Sequence, residues 1–182
     1  MTKKQKDLNK LKAYAKACGL KTVFKKGSKN NPGASWDTDL VLTFYNRTYT
    51  TQKQLILNFL HELGHHRQYI EDNKIHNDML FDALNTEDNR MGKYDHKVDK
   101  SMRKLIYDDE AHAASFRQDI RKQLDLESVT EQDVELDIKL DLWIYNHYYK
   151  KGEFPSLKRV SNARDRIFNN GNVRKRSKRN VT

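Results

Sequence analysis

The chain has 182 residues, the size of one domain or of one domain with a tail. Its longest apolar stretch, 40–45, is too short to span a bilayer, and no apolar segment follows the first four residues as a signal peptide would require. A single cysteine, Cys18, excludes a disulfide framework or a cysteine-rich zinc ribbon. We therefore expect a soluble, cytoplasmic protein that makes no membrane contact.

The net charge of +10 is concentrated at the two ends of the chain. Residues 1–30 contain ten lysines and one acid, Asp7, whereas residues 171–182 contain five Arg or Lys and no acid. Basic ends are typical of proteins that bind nucleic acid, but also of a solubilising helix face and a frayed tail. Nucleic acid is therefore a candidate partner of 1–30 and 171–182.

The first half of the chain predicts two helices with strands between them. Apolar residues recur at helical spacing from Leu8 to Cys18, which predicts an amphipathic helix over 3–18. A short strand is expected from Leu20 to Lys25, and a second strand from Trp36 to Tyr45. Thr51 and Gln54 form a capping box that begins a helix over about 52–70.

The second half predicts mainly helices. Residues 71–97 form a polar loop with one short helix near 79–84, and a long helix follows over about 98–124. Thr130 and Asp133 indicate another cap, before a segment to about 151 that fits both a strand and a helix; its length favours a helix. A last helix is expected over 156–168 and a disordered basic tail over 169–182. The fold class is therefore α+β, a single domain over 1–168 that is mostly helical, with a small sheet before the helix over 52–70.

The sharpest chemical signal is the sequence His-Glu-Leu-Gly-His at 61–65. On a helix, residues four apart share one face, so His61 and His65 can offer nitrogen atoms to one Zn²⁺ ion. Glu62 is adjacent and rotated from that face, where it can take a proton from an attacking water molecule. Gly64 lowers helix stability by about 1 kcal/mol relative to alanine, which suggests that a substrate or another helix approaches closely there.

The segment from Leu60 to His66, after a strand and before an acidic helix, resembles the zincin metallopeptidases. More narrowly it is similar to ImmA/IrrE-type and related phage-encoded, gluzincin-like domains, over about residues 20–125. The resemblance implies a compact zincin fold in which His61 and His65 bind zinc and Glu62 is the general base. In that family a Glu on a later helix, typically followed by Ala, is the third ligand. The segment 107–114 fits this element, so Glu110 is the expected third ligand.

Other residues could complete the site. Asp109 is a neighbouring alternative to Glu110 as the third ligand. His76 is a second one, because a nearby His followed by Phe resembles the SprT-like and WLM proteases, which act on proteins crosslinked to DNA. Tyr107 lies on the face of Glu110 and could hydrogen-bond an oxyanion, although core packing is the simpler interpretation. His66 points away from the motif face, as a surface group or as a support for the ligands.

Two functions follow as hypotheses. The first is a zinc-dependent metallopeptidase that hydrolyses peptide bonds in a protein or peptide substrate. The second is a non-catalytic, zincin-like module that binds nucleic acid or a regulator through the basic ends.

Overall fold

In the computed structural model, the backbone is described for residues 1–26, 34–37, 40–46, 51–71 and 100–179, and the side chains for these residues except 36, 37, 46 and 169–179. The elements in chain order are α1 (Lys3–Ala17), β1 (Lys21–Lys26), β2 (Ala34–Asp37), β3 (Val41–Asn46), α2 (Gln52–Glu71), α3 (Lys100–Gln123), α4 (Glu131–Lys151) and α5 (Leu157–Arg179). This mostly helical architecture with one small sheet confirms the predicted α+β class.

The three strands form a mixed sheet with β3 in the centre. β1 pairs with β3 in parallel, with Lys21 opposite Val41, and β2 pairs with β3 antiparallel, with Asp37 opposite Val41. The prediction of one strand from Trp36 to Tyr45 is therefore wrong. The chain reverses within that segment, and Leu40 has a positive φ of 59°, which an extended strand does not allow.

The helix caps agree with the sequence. The Thr51 hydroxyl accepts a hydrogen bond from the Gln54 backbone N–H at 3.1 Å. At the start of α4, the Asp133 N–H donates to the Thr130 hydroxyl at 3.1 Å, and the Asp133 carboxylate accepts from the Thr130 N–H at 2.9 Å. This reciprocal cap begins a helix over Glu131–Lys151, so the helical interpretation of that segment is confirmed.

The contacts divide the chain into two compact units, residues 1–78 with 112–134 and residues 79–111 with 135–182. In the first unit, α2 packs on the sheet through the stacked rings of Phe59 and Phe44, whose centroids are 3.9 Å apart. α1 also contacts α2. The core of the first unit is formed by residues from α1, the sheet, α2 and α3. Its completely buried side chains include Leu11, Leu42, Ile56, Phe59, Leu60 and Ile120.

The second unit has a helical, aromatic core. Ile106 and Tyr148 are buried, and Met102, Tyr145 and Phe154 pack against them. The ring of Tyr148 stacks on that of Phe154 with centroids 4.5 Å apart. In this unit α5 continues to Arg179, so the backbone of 169–179, where a disordered tail was expected, is helical. The predicted loop 71–97 and its short helix near 79–84 lie outside the described residues, apart from Glu71 at the end of α2.

Candidate metal centre

Helix α2 places the two histidines of the motif side by side. Its buried stripe, which includes Ile56, Leu60 and Leu63, faces the core, so the motif lies on a helix whose rotation is fixed by packing. The rings of His61 and His65 are 4.8 Å apart between centroids, at an interplanar angle of 72°. Both side chains are half-buried.

Glu62 lies beside this pair and is largely buried, at 7% exposure. Its Oε1 atom is 4.0 Å from Nε2 of His61. The carboxylate is therefore close to a histidine nitrogen without being one of the clustered donor atoms described below. This is the placement expected of a group that handles a proton next to a metal rather than binding the metal.

Gly64 allows α2 and α3 to approach each other closely. A Cβ atom at Gly64 would lie 2.4 Å from the backbone oxygen of Ala113, a distance that real Cβ atoms do not adopt. Ala113 and Ala114 are themselves small and buried. The glycine in the middle of the motif is therefore required by another helix, one of the two reasons expected from the sequence.

The same helix carries the carboxylate expected as the third ligand. Glu110 lies three residues before Ala113 in α3 and is 9% exposed. One donor atom each from His61, His65 and Glu110 lies within 4.8 Å of the other two. α3 is continuous from Lys100 to Gln123, and Glu110 lies about one helical turn before Ala113, whose backbone oxygen faces Gly64.

Arg117 is a further member of the site that sequence reasoning missed. Its side chain is almost completely buried, at 1% exposure, and its Nη2 contacts Nδ1 of His61. Arg117 lies seven residues after Glu110, hence two helical turns along the same face of α3. A guanidinium group can only donate, so Nδ1 of His61 accepts in this contact and the proton of the neutral ring lies on Nε2. The ring can bind a metal only when Arg117 has moved away from Nδ1, because a ligating histidine carries its proton on the other nitrogen. The heptad spacing from Glu110 was the only sequence signal for it.

The remaining motif histidine is buried. His66 is 3% exposed, and burial lowers the pKa of its imidazole. The interpretation of His66 as a surface group is therefore wrong. Its position on α2 turns it towards the interior, away from the clustered donor atoms.

Among the described residues, the structure brings none of the other predicted site residues into the donor cluster. The ring contacts described for Tyr107 are with Tyr149, at 6.4 Å between centroids, and with the Lys104 ammonium group at 5.8 Å, so its role towards an oxyanion stays a prediction. Asp109 is half-buried on α3, and the donor cluster contains Glu110 instead. His76 lies outside the described residues.

The donor set is suited to zinc. Two imidazole nitrogens and one carboxylate oxygen are the ligands of many catalytic zinc sites, which keep a fourth position open. With bonds of about 2.0–2.1 Å, tetrahedral ligands are roughly 3.3 Å apart. The clustered atoms lie within 4.8 Å of one another, so their separations would have to shrink by about 1.5 Å at most to match a tetrahedral zinc site.

Compared with known proteins, the chain matches no family model, no curated protein and no solved structure at a significant level. Among the helices that the structure describes, none has the length and apolar character needed to cross a membrane.

Proposed function

We propose that the chain is a zinc-dependent metallopeptidase. The observation that carries the proposal is the convergence of His61, His65 and Glu110 from two separate helices, with the buried carboxylate of Glu62 beside them. A helix with two surface histidines would not require a third donor from elsewhere in the chain. It would also not require a glycine at the point where the second helix approaches.

In this proposal, His61, His65 and Glu110 hold the ion, which supplies Lewis acidity for the attack of water on a peptide carbonyl. The carboxylate of Glu62 accepts a proton from the water while the oxygen of that water bonds to the carbonyl carbon. Glu62 then donates that proton to the amide nitrogen as the C–N bond breaks. Arg117 leaves Nδ1 of His61 when the ion binds, because a ligating histidine gives its lone pair to the ion and carries its proton on the other nitrogen.

The substrate class that we propose is a protein or peptide, at a cytoplasmic location. The alternative is a protease like the SprT-like and WLM proteases, with His76 as the third ligand. The first experiment distinguishes this alternative from a site with Glu110 as the third ligand.

The first experiment is elemental analysis of purified wild type and of three variants. We expect about one zinc per wild-type chain, and loss of most zinc in Glu110→Gln, because a catalytic zinc requires three protein ligands. Asp109→Asn is the matched control, since it removes the adjacent acid from the same helix, and it should keep its zinc. A wild type that takes up no zinc contradicts the proposal, and loss of zinc in His76→Ala instead of Glu110→Gln favours the alternative ligand.

The second experiment separates binding from catalysis. Glu62→Gln removes the proton acceptor and keeps the shape of the side chain, so peptide hydrolysis should fall by about 10²–10⁴-fold. Zinc content should stay at the wild-type level, because Glu62 is not among the clustered donors. Hydrolysis of an unfolded protein substrate, followed by the release of free amino groups, gives the rate. Wild-type activity in this variant would exclude Glu62 as the base.

A further inference from the structure

The second unit contains a pocket that the proposed peptidase chemistry does not use. It lies between α4 and α5 and has a volume of about 420 Å³. Trp143 and His147 line it from α4, and Arg159, Asn162 and Arg166 line it from α5. Both walls belong to the second unit, so the pocket is formed entirely within that unit.

The α4 wall is a pair of rings. Trp143 and His147 are one helical turn apart, with ring centroids 5.9 Å apart and an interplanar angle of 30°. The Nε2 atom of His147 is buried and has no hydrogen-bond partner among the residues that the structure describes. The wall therefore offers an aromatic surface to a ligand, and the Nε2 atom lies behind that surface.

The α5 wall is positively charged. Arg159, Asn162 and Arg166 are exposed and recur at spacings of three and four residues, which places them on one face of the helix. The sequence of α5 contains nine Arg or Lys and a single acid, Asp165. A ligand that enters this pocket meets two guanidinium groups and an amide opposite the indole ring.

We infer that this pocket binds single-stranded nucleic acid. An exposed base stacks on Trp143, while Arg159 and Arg166 contact the phosphates on either side of it. Asn162 hydrogen-bonds the edge of the base. A duplex is a poor ligand, because its bases are already stacked and paired and cannot enter the pocket. The inference is independent of the proposed metal centre.

The stacking contact has its own spectroscopic test. The chain has two tryptophans, so Trp36→Phe leaves Trp143 as the only indole fluorophore. We expect its emission to be quenched as a short oligothymidylate saturates the protein, with saturation followed independently by fluorescence anisotropy of a labelled strand. Binding at saturation with unchanged Trp143 emission, or no binding by wild type, overturns the inference.

A charge-matched pair of double variants tests the pocket against the general charge of the helix. Arg159→Gln with Arg166→Gln should weaken binding by about tenfold or more and lower the slope of log Kd against log salt by roughly 1.4, since two phosphate contacts are lost. Lys158→Gln with Arg164→Gln removes the same charge from exposed positions of α5 outside the pocket lining and should weaken binding less than about threefold.

Circular dichroism establishes that both double variants remain helical. Equal losses in the two double variants mean attraction to the helix as a whole and overturn the assignment to the pocket. A duplex of the same length that binds as tightly as the single strand also overturns it.

Discussion

The two basic helices at the ends of the chain have similar compositions and different structural roles. α1 contains six lysines and one acid, and α5 contains nine Arg or Lys and one acid. In α1 the acid, Asp7, is buried together with Leu8, Leu11 and Ala15. Between residues 157 and 168 of α5, by contrast, the buried residues are limited to Ala163, and Asp165 is exposed. A basic charge therefore does not show whether a helix is part of the core or is available to a partner.

The burial of Asp7 is explained by what its carboxylate contacts. The carboxylate of Asp7 accepts hydrogen bonds from the backbone N–H groups of Glu127 and Ser128, at 3.2 and 2.7 Å, and from the Ser128 hydroxyl. These bonds attach α1 to the connection between α3 and α4 within the first unit. The lysines of α1 are therefore the outer surface of a helix that is held in place from inside.

The largest expected contrast is between two leucines. Leu11 in α1 is completely buried, whereas Leu157 in α5 is 86% exposed. Leu11→Ala should lower the free energy of unfolding by about 3 kcal/mol, because it leaves a cavity in the core. Leu157→Ala should change it by less than about 0.5 kcal/mol. Urea denaturation followed by circular dichroism measures both, and equal midpoints would contradict the distinction between the helices.

The next contrast uses the two acids. Asp7→Ala leaves two backbone N–H groups and a hydroxyl without their acceptor, and we expect a loss of about 2 kcal/mol in unfolding free energy. Asp165→Ala serves as the matched control, since it removes the only acid of α5 at an exposed position. If Asp7→Ala were as stable as Asp165→Ala in urea, the attachment of α1 through its carboxylate would be wrong.

The smallest contrast is between two lysine ion pairs in the first unit. Lys3 pairs with the exposed Glu127 at 3.0 Å, and Lys53 of α2 pairs at 2.7 Å with Asp133, the capping residue of α4. Burial raises the pKa of Asp133, but hydrogen bonds from Lys53 and Thr130 outweigh it and hold the pKa below its ordinary value of 3.8. We expect Asp133→Asn to lower the free energy of unfolding by about 1 kcal/mol at neutral pH, and Lys3→Gln to change it by less than about 0.5 kcal/mol.

The pH dependence of this contrast follows from the direction of the pKa shift. Because the carboxyl of Asp133 is more acidic in the folded chain, its contribution is complete above pH 3.8 and is lost as the pH falls through the folded pKa. The difference between wild type and Asp133→Asn should therefore shrink below pH 3.8, in urea titrations at several pH values. A difference that grows on acidification would contradict the assigned direction.

Local signals in the sequence predicted most of the fold. The caps at Thr51 and Thr130 and the apolar spacing of α1 and α2 depend on neighbours within a few residues, which a sequence displays directly. The sequence did not show that the predicted strand from Trp36 to Tyr45 is two strands. The turn between them depends on the positive φ of Leu40, and leucine gives no signal for that conformation. The burial of His66 was missed because it arises from tertiary packing around α2.

The candidate site was also predictable only where it depends on spacing within one helix. The i, i+4 spacing of His61 and His65 is a property of one helix and was available from the sequence. The choice of Glu110 came from a resemblance, and its proximity to the histidines is a tertiary property that the spacing within one helix does not display. Arg117 was missed because a buried arginine on an amphipathic, highly charged helix cannot be distinguished in sequence from an exposed one.

The attachment of α1 also has a consequence for how the chain folds during its synthesis. Asp7 and Ser128 are separated by 121 positions, so the partners of this carboxylate emerge from the ribosome long after α1 itself. At about 5–20 residues per second, the delay is on the order of ten seconds. During that time the carboxylate stays hydrated, and α1 can complete its native contacts only after Ser128 has been made. α1 is therefore made well before the contact that fixes it in place within the first unit.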